Sequence, residues 1–305
     1  MNTETSENAN TKALVYDIQR FCLHDGPGVR TTVFFKGCPL RCPWCSNPES
    51  ISPSPEIYHI RSKCIACGEC VSACKEGCLE LADGELRIDR GKCAGCFSCV
   101  AACPTRALVK KGEETTAAEL LRKALADRDF YDESGGGVTV SGGEPLSQPR
   151  AVAEFLRLVK AEGLHTAMET SGFASREALL GVLPYCDLVY IDVKHADPLR
   201  HREIVGQDNG IIHDNLRYLA GTGKEVIVRL PLIPGYNMDG DSIDKLIALL
   251  KPLALPVEPL LFHQFGKNKY LSVGRKYDLA EARPLDESEI EIVREKLAAA
   301  GLRII

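Results

Sequence analysis

Three tight runs of cysteine constrain this 305-residue chain more than any other feature. The first, Cys38, Cys42 and Cys45, is spaced C-x3-C-x2-C and ends an apolar stretch over 31–35. The second, Cys64, Cys67, Cys70 and Cys74, is spaced C-x2-C-x2-C-x3-C, and Cys93, Cys96, Cys99 and Cys103 repeat it. Spacings this short put thiolates in reach of a shared metal centre. A structural zinc closes its shell with four ligands, and an electron-transfer 4Fe–4S cluster normally has four cysteines. The first run supplies three, so a cluster held there leaves one iron open to a substrate. A zinc site would need a distant fourth ligand. The two longer runs carry a third, equally spaced cysteine, which the paired C-x2-C knuckles of a zinc ribbon lack.

The rest of the composition narrows the classes. The formal net charge of -5 points to neither a nucleic-acid surface nor a polybasic membrane patch. No apolar run approaches the ~18–20 residues of a membrane span. Residues 1–12 are polar, have no apolar stretch of the signal-peptide kind, and read as a disordered tail. Fourteen cysteines in metal-ligand spacings within a long chain point to a reducing, cytoplasmic setting rather than a disulfide framework.

Thirteen of those cysteines precede residue 104, and only Cys186 follows. Residues 53–111 read as an insert, entered through Ser52-Pro53-Ser54-Pro55 and left near Lys110-Lys111-Gly112. Around it, in 13–52 and 112–305, strands are expected over 31–35, 138–141, 165–168, 188–193, 225–230 and 259–263. Helical periodicity falls between them, over 117–129, 150–161, 176–183, 211–220 and 241–250. Six β/α units predict an α/β fold, a partial (β/α)6 TIM-like barrel with parallel strands and its chemistry at their C-terminal ends. A helix over 287–299 and a strand over 302–305 would complete it.

Several motifs end those strands. Ser141-Gly142-Gly143-Glu144-Pro145 follows one directly, and two glycines allow close backbone approach to a ligand. Glu169-Thr170 and Asp192-Val193-Lys194 end the next two. Alternation puts Asp192 and Lys194 on one side of their strand, able to read a zwitterionic ligand or to form an ordinary salt bridge. Together with the C-x3-C-x2-C loop, these motifs resemble the radical S-adenosylmethionine (SAM) superfamily. The resemblance implies a 4Fe–4S cluster on Cys38, Cys42 and Cys45, with SAM chelating the open iron. It implies that reductive cleavage of SAM gives a 5′-deoxyadenosyl radical. It places SAM contacts at Trp44, Ser46, Gly142, Gly143, Glu144, Thr170, Asp192, Val193, Lys194, Arg229 and His263, with a backbone carbonyl of the Gly-Gly-Glu-Pro motif and Glu144 taking the ammonium group. Trp44 offers adenine a ring to stack on, or is a core tryptophan.

The duplicated run resembles bacterial two-cluster ferredoxins, in which the fourth cysteine of each run serves the other cluster. That implies one cluster on Cys64, Cys67, Cys70 and Cys103 and another on Cys74, Cys93, Cys96 and Cys99. Lys75, not proline, follows Cys74, and Cys78 comes shortly after. Cys78 is then either an alternative ligand to Cys74 or a spare buried thiol.

Further stretches resemble one branch of the superfamily, the activating enzymes of glycyl radical enzymes. They are His24-Asp25-Gly26-Pro27-Gly28-Val29-Arg30, Asn47-Pro48-Glu49, the segment from Val228 through Arg229 to Gly235, and the segment from Phe262 through His263 to Tyr270. The branch implies a monovalent cation near Glu169, Thr170 and Asp192, although its members more often carry Asp where this chain has Glu169. It also implies hydrogen abstraction from a backbone glycine of a partner enzyme, with flavodoxin or ferredoxin as donor. The insert points to a carbon–heteroatom lyase or dehydratase as partner, since pyruvate formate-lyase activases of this branch lack it. Isethionate sulfite-lyase comes first and choline trimethylamine-lyase second, though no residue decides between them. Two rival readings are a pure iron–sulfur electron carrier and a radical SAM enzyme acting on a small molecule. Cys22, Cys186, His59, His165, His195, His201 and His213 read as structural or surface residues.

Overall fold

The computed structural model describes residues 10–305. Its strands are β1 (Lys12–Cys22), β2 (Arg30–Phe35), β3 (Glu56–His59), β4 (Leu79–Ala82), β5 (Glu85–Ile88), β6 (Leu108–Lys111), β7 (Glu113–Thr116), β8 (Gly137–Gly142), β9 (His165–Thr170), β10 (Leu188–Asp192), β11 (Glu225–Leu232), β12 (Pro256–Leu261) and β13 (Arg303–Ile304). Nine of them form one sheet in the order β13-β12-β11-β10-β9-β8-β2-β1-β7. Every pairing from β2 to β13 is parallel, whereas β1 runs antiparallel to both β2 and β7. The six expected strands are therefore adjacent and parallel. The order is linear, so β13 extends one edge rather than closing a ring.

The parallel strands read as apolar runs because helices cover them and the lumen is filled. All six residues of β2 are buried. The covering helices begin where sequence chemistry lets them. Thr116 and Glu119 make a capping box for Ala117–Ala124, and Pro149 opens Pro149–Ala161 at its first turn.

Several boundaries differ from expectation. The helix expected over 117–129 stops at Ala124, turns through Leu125–Asp127, and restarts as Arg128–Ser134. At the break the buried Asp127 carboxylate accepts hydrogen bonds from Arg20 and from the Thr31 hydroxyl, which draws the chain inward. β12 begins at Pro256 and ends before His263, which leaves that histidine on a loop. Of the expected tail, residues 1–9 lie outside the described residues, and Lys12 already belongs to β1.

The loop after β1 plugs the lumen from the strands' N-terminal side. The His24 carbonyl accepts from Arg229 and the Asp25 carbonyl from Thr139. Arg30 is wholly buried, its guanidinium bonded to Thr139 and to the carbonyls of Pro27 and Val138, and burial lowers it to about 10. Gly28 allows this packing, because a Cβ there would stand 2.5 Å from the backbone nitrogen of Gly136.

Between β2 and β7 the chain adds two two-stranded sheets with a core cluster of their own. β3 pairs antiparallel with β6, and β4 with β5 through a turn at Asp83 and Gly84, both at positive φ. That core of Ile57, Cys70, Cys78, Leu79, Leu86, Cys99 and Leu108 is rich in thiols and poor in aliphatic carbon. Ion pairs and carbonyl bonds seat it against the barrel. Buried Lys36 bonds the Glu49 carbonyl (2.6 Å) and Glu56 (2.9 Å), and Arg275 also reaches Glu56 (3.0 Å). Arg90 spans the seam from the Ile57 carbonyl (2.8 Å) to the Ser272 carbonyl (3.0 Å).

Candidate active site

A cavity of about 270 Å³ opens where the C-terminal ends of the parallel strands meet the first cysteine run. The structure brings Cys38, Cys42, Trp44, Cys45, Ser46, Gly142, Gly143, Thr170, Asp192, Lys194, Arg229 and His263 to its wall. Close packing at β8 explains the paired glycines. A Cβ on Gly142 would stand 2.2 Å from the Phe35 carbonyl oxygen, and one on Gly143 2.4 Å from that of Gly37.

The cavity's charges are already partnered. Lys194 bonds the Asp192 carboxylate at 2.8 Å. Burial opposes the Lys194 charge, yet Asp192 and the nearby Cys42 thiol raise it above its ordinary value. Trp44 packs edge-on to Tyr236 at 5.5 Å, one side in the core and one in the cavity. His263 stacks on the exposed Phe265 ring at 3.8 Å.

Two expected contacts do not line the cavity. Glu144 is wholly buried and its carboxylate is spent inside the protein. One oxygen accepts from the Leu146 amide (3.0 Å) and the Thr170 hydroxyl (2.6 Å), the other from the Ser171 amide (2.8 Å) and hydroxyl (2.5 Å). It braces the β9 turn instead of facing a ligand. Val193 turns into the core, its amide bonded to the Arg229 carbonyl.

Arg229 reaches the wall but points its guanidinium into the lumen. There it bonds Glu169, Glu258 (2.7 Å) and the His24 carbonyl (2.9 Å), and lies 3.7 Å from the centre of the Tyr190 ring. Burial opposes its charge, but Glu169 and Glu258 hold it above the ordinary arginine value. The donors expected around a monovalent cation are likewise committed: Glu169 to Arg229 and Ser141, Thr170 to Glu144, and Asp192 to Lys194. The longer arm of Glu169 lets it reach across to Arg229.

A clamp on the cysteine loop was not anticipated. Lys269 bonds Asn47 (2.8 Å) and Glu49 (3.2 Å), and the Tyr270 hydroxyl lies 3.4 Å from the carbonyls of Cys42 and Pro43. Gly266 sits so close that a Cβ would meet the Cys45 carbonyl at 2.6 Å. The signal was the helical spacing of Gly266, Lys269 and Tyr270, three residues that one short helical turn aims at a single loop.

The insert holds two further groups of thiols. Cys64, Cys67, Cys70 and Cys103 surround one small cavity, with Ala107 and Leu108. In the other group Cys74 touches Cys78, sulfur to sulfur, at 3.3 Å.

An open parallel sheet whose strand ends ring a three-thiol loop defines an enzyme class that holds a polar ligand against a metal cluster. Residues 32–247 match the Radical SAM superfamily. The chain is 41% identical over 290 residues to a choline trimethylamine-lyase activating enzyme of Oleidesulfovibrio alaskensis, covering 92% of this chain and 94% of that one. It is 40% identical to an isethionate sulfite-lyase activating enzyme of Nitratidesulfovibrio vulgaris, covering 89% and 91%. It is 34% identical to a pyruvate formate-lyase 2-activating enzyme of Escherichia coli, covering 96% and 91%. The chain belongs to the radical SAM superfamily, and within it to the activating enzymes of glycyl radical enzymes.

The family carries a 4Fe–4S cluster and uses SAM, and the first cysteine run fits the cluster. All three thiols are free of disulfides. Burial pushes Cys38 and Cys42 up to about 12, and Cys45 up as well. The third relative bears on the partner. Its alignment spans 96% of this chain, so similarity over nearly the whole chain does not by itself separate lyase and dehydratase partners from one named for pyruvate formate-lyase. Among the described residues no helix is long and apolar enough to cross a membrane.

Proposed function

We propose that this chain generates the radical of a carbon–heteroatom glycyl radical lyase, isethionate sulfite-lyase before choline trimethylamine-lyase, and that its insert relays electrons. The radical SAM chemistry is supported by the cavity that Cys38, Cys42 and Cys45 share with the Asp192–Lys194 pair, and the lyase partner by the 41% and 40% identity to activating enzymes of choline trimethylamine-lyase and isethionate sulfite-lyase. Cys38, Cys42 and Cys45 would hold the cluster, which would supply the electron for reductive cleavage of SAM to methionine and a 5′-deoxyadenosyl radical, the species that would take hydrogen from a backbone glycine of the partner.

The chain's own residues position and shield. Lys194 presents an ammonium to a carboxylate and Asp192 an acceptor to hydroxyls, while Trp44 and His263 offer rings to an adenosine. Holding the ligand against the loop and excluding water are the protein's share of the work. In the insert, Cys64, Cys67, Cys70 and Cys103 would hold a second cluster, and Cys74, Cys93, Cys96 and Cys99 a third. A small body whose core mixes Cys70, Cys78 and Cys99 with only four aliphatic side chains would gain folding energy from bound metal. Flavodoxin or ferredoxin is the proposed donor.

The test is anaerobic reconstitution followed by incubation with SAM, reductant and one partner at a time. The partners are isethionate sulfite-lyase, choline trimethylamine-lyase and a pyruvate formate-lyase. A glycyl radical doublet by electron paramagnetic resonance (EPR) on one of the two lyases is the expected result. A doublet on pyruvate formate-lyase alone overturns the partner assignment.

A further inference from the structure

The insert's two halves are copies, and their superposition isolates one residue. Cys64, Cys67, Cys70 and Cys74 correspond to Cys93, Cys96, Cys99 and Cys103, and the match extends through Cys78 with Ala107 and Leu79 with Leu108. The backbones agree. Ala66 and Gly95, Gly68 and Phe97, and Gly77 and Arg106 all take positive φ, and the helical turns Glu69–Ser72 and Ser98–Ala101 coincide. At the fourth cysteine of copy two the Ala107 amide bonds Cys103 Sγ (3.2 Å), and in copy one Cys78 lies against Cys74. Cys78 therefore stands where the other copy has an alanine.

Ala107 is 1% exposed and faces the cavity ringed by Cys64, Cys67, Cys70 and Cys103. At the equivalent place Cys78 adds a sulfur, 5% exposed, 3.3 Å from Cys74 Sγ and in the same packed cluster as Cys93 and Cys99. This site has five thiols for four ligand positions. From this geometry, and resting on the reading that the insert holds two clusters, we infer that Cys78 is a reserve ligand that replaces Cys74 on the cluster it shares with Cys93, Cys96 and Cys99.

The exchange is balanced without any oxidant. An iron–sulfur bond to Cys78 forms as the one to Cys74 breaks, and the Cys78 proton passes to the freed thiolate. The connecting segment suits the movement. Copy two fixes its backbone with Pro104, whereas copy one has Lys75 there and Gly77 in place of Arg106, with open space beside Gly77.

The test counts iron per chain and records EPR spectra of the reduced protein after anaerobic reconstitution. With four irons per cluster, the unaltered protein should hold about twelve, and Cys74→Ala and Cys78→Ala should each keep about twelve. Cys74→Ala should also show an altered spectrum for one cluster. The double variant should fall to about eight, as should Cys103→Ala, whose copy has no reserve. Adding Ala107→Cys to Cys103→Ala should restore about twelve, and this graft decides the matter if Cys74→Ala does not fold. A fall to eight in Cys74→Ala alone, a fall in Cys78→Ala alone, or a graft that stays at eight overturns the reserve ligand. About four irons in the unaltered protein overturns the two-cluster reading of the insert itself.

Discussion

Replacing Glu144 separates two accounts of the Gly-Gly-Glu-Pro turn. As a ligand contact, Glu144 would be needed for SAM and dispensable for folding. As the brace the structure shows, it holds the Thr170-Ser171 turn, and its loss is felt first in stability. Glu144→Ala strips the acceptor from two buried backbone amides, Leu146 and Ser171, and from two hydroxyls that can rotate elsewhere. At about 1–3 kcal/mol for each orphaned buried donor, the amides alone cost about 2–6 kcal/mol. That is a large part of the ~5–15 kcal/mol that holds a typical domain together. Glu144→Gln keeps one oxygen and its donors but turns an NH2 toward the other pair, for about 1–3 kcal/mol. Anaerobic urea unfolding followed by circular dichroism should rank the unaltered protein above Glu144→Gln and Glu144→Gln above Glu144→Ala. With slopes of about 1–3 kcal/mol per molar, the alanine midpoint should move by roughly 1 M or more. An unmoved midpoint together with lost SAM affinity would refute the brace and restore Glu144 as a ligand contact.

Two further outcomes follow from the charges. Lys194→Ala should weaken SAM binding by tenfold or more, about 1.4 kcal/mol, with iron content unchanged; normal SAM affinity with lost iron would sink the assignment. Burial depresses His59, His165, His195, His201, His213 and His263, His213 to about 4, so the unfolded chain takes up protons that the folded one refuses. Stability should be full above the ordinary histidine value near 6.5 and decline as pH falls below it, less steeply in His213→Asn; urea midpoints that stay flat from pH 7.5 to 5.5 would overturn this.

What could be read from the sequence divides along a physical line. Buried parallel strands announce themselves, because covering helices on one side and a filled lumen on the other leave runs such as Arg30–Phe35 with no solvent face. The flanking antiparallel strands do not. β7 is Glu-Glu-Thr-Thr, mostly exposed, and becomes a strand only because β1 lies beside it. β1 carries a bulge between Val15 and Asp17 that breaks its alternation. At the site, residue type and strand end were legible, but side-chain direction was not. Glu144 and Arg229 differ from expectation for the same reason: each found protein partners, Thr170 and Ser171 for one, Glu169 and Glu258 for the other. The reserve thiol was legible in principle, since aligning the insert with itself sets Cys78 against Ala107.

The pairing of charges also explains how the chain can keep its site folded before any cofactor arrives. Glu169 with Arg229 and Asp192 with Lys194 leave no lone carboxylate or ammonium in the cavity to pay desolvation unpaired. The sheet beneath carries an apolar core that spans the parallel strands. The insert is built the other way, with cysteines supplying much of its core and only a few aliphatic side chains beside them. If its thiols hold clusters as proposed, its folding is linked to metal binding, whereas the sheet rests on apolar burial. Lys36, Glu56, Arg90 and Arg275 join the two bodies beside the first cysteine loop. Through these contacts residues 53–111 are held beside the loop that carries Cys38, Cys42 and Cys45.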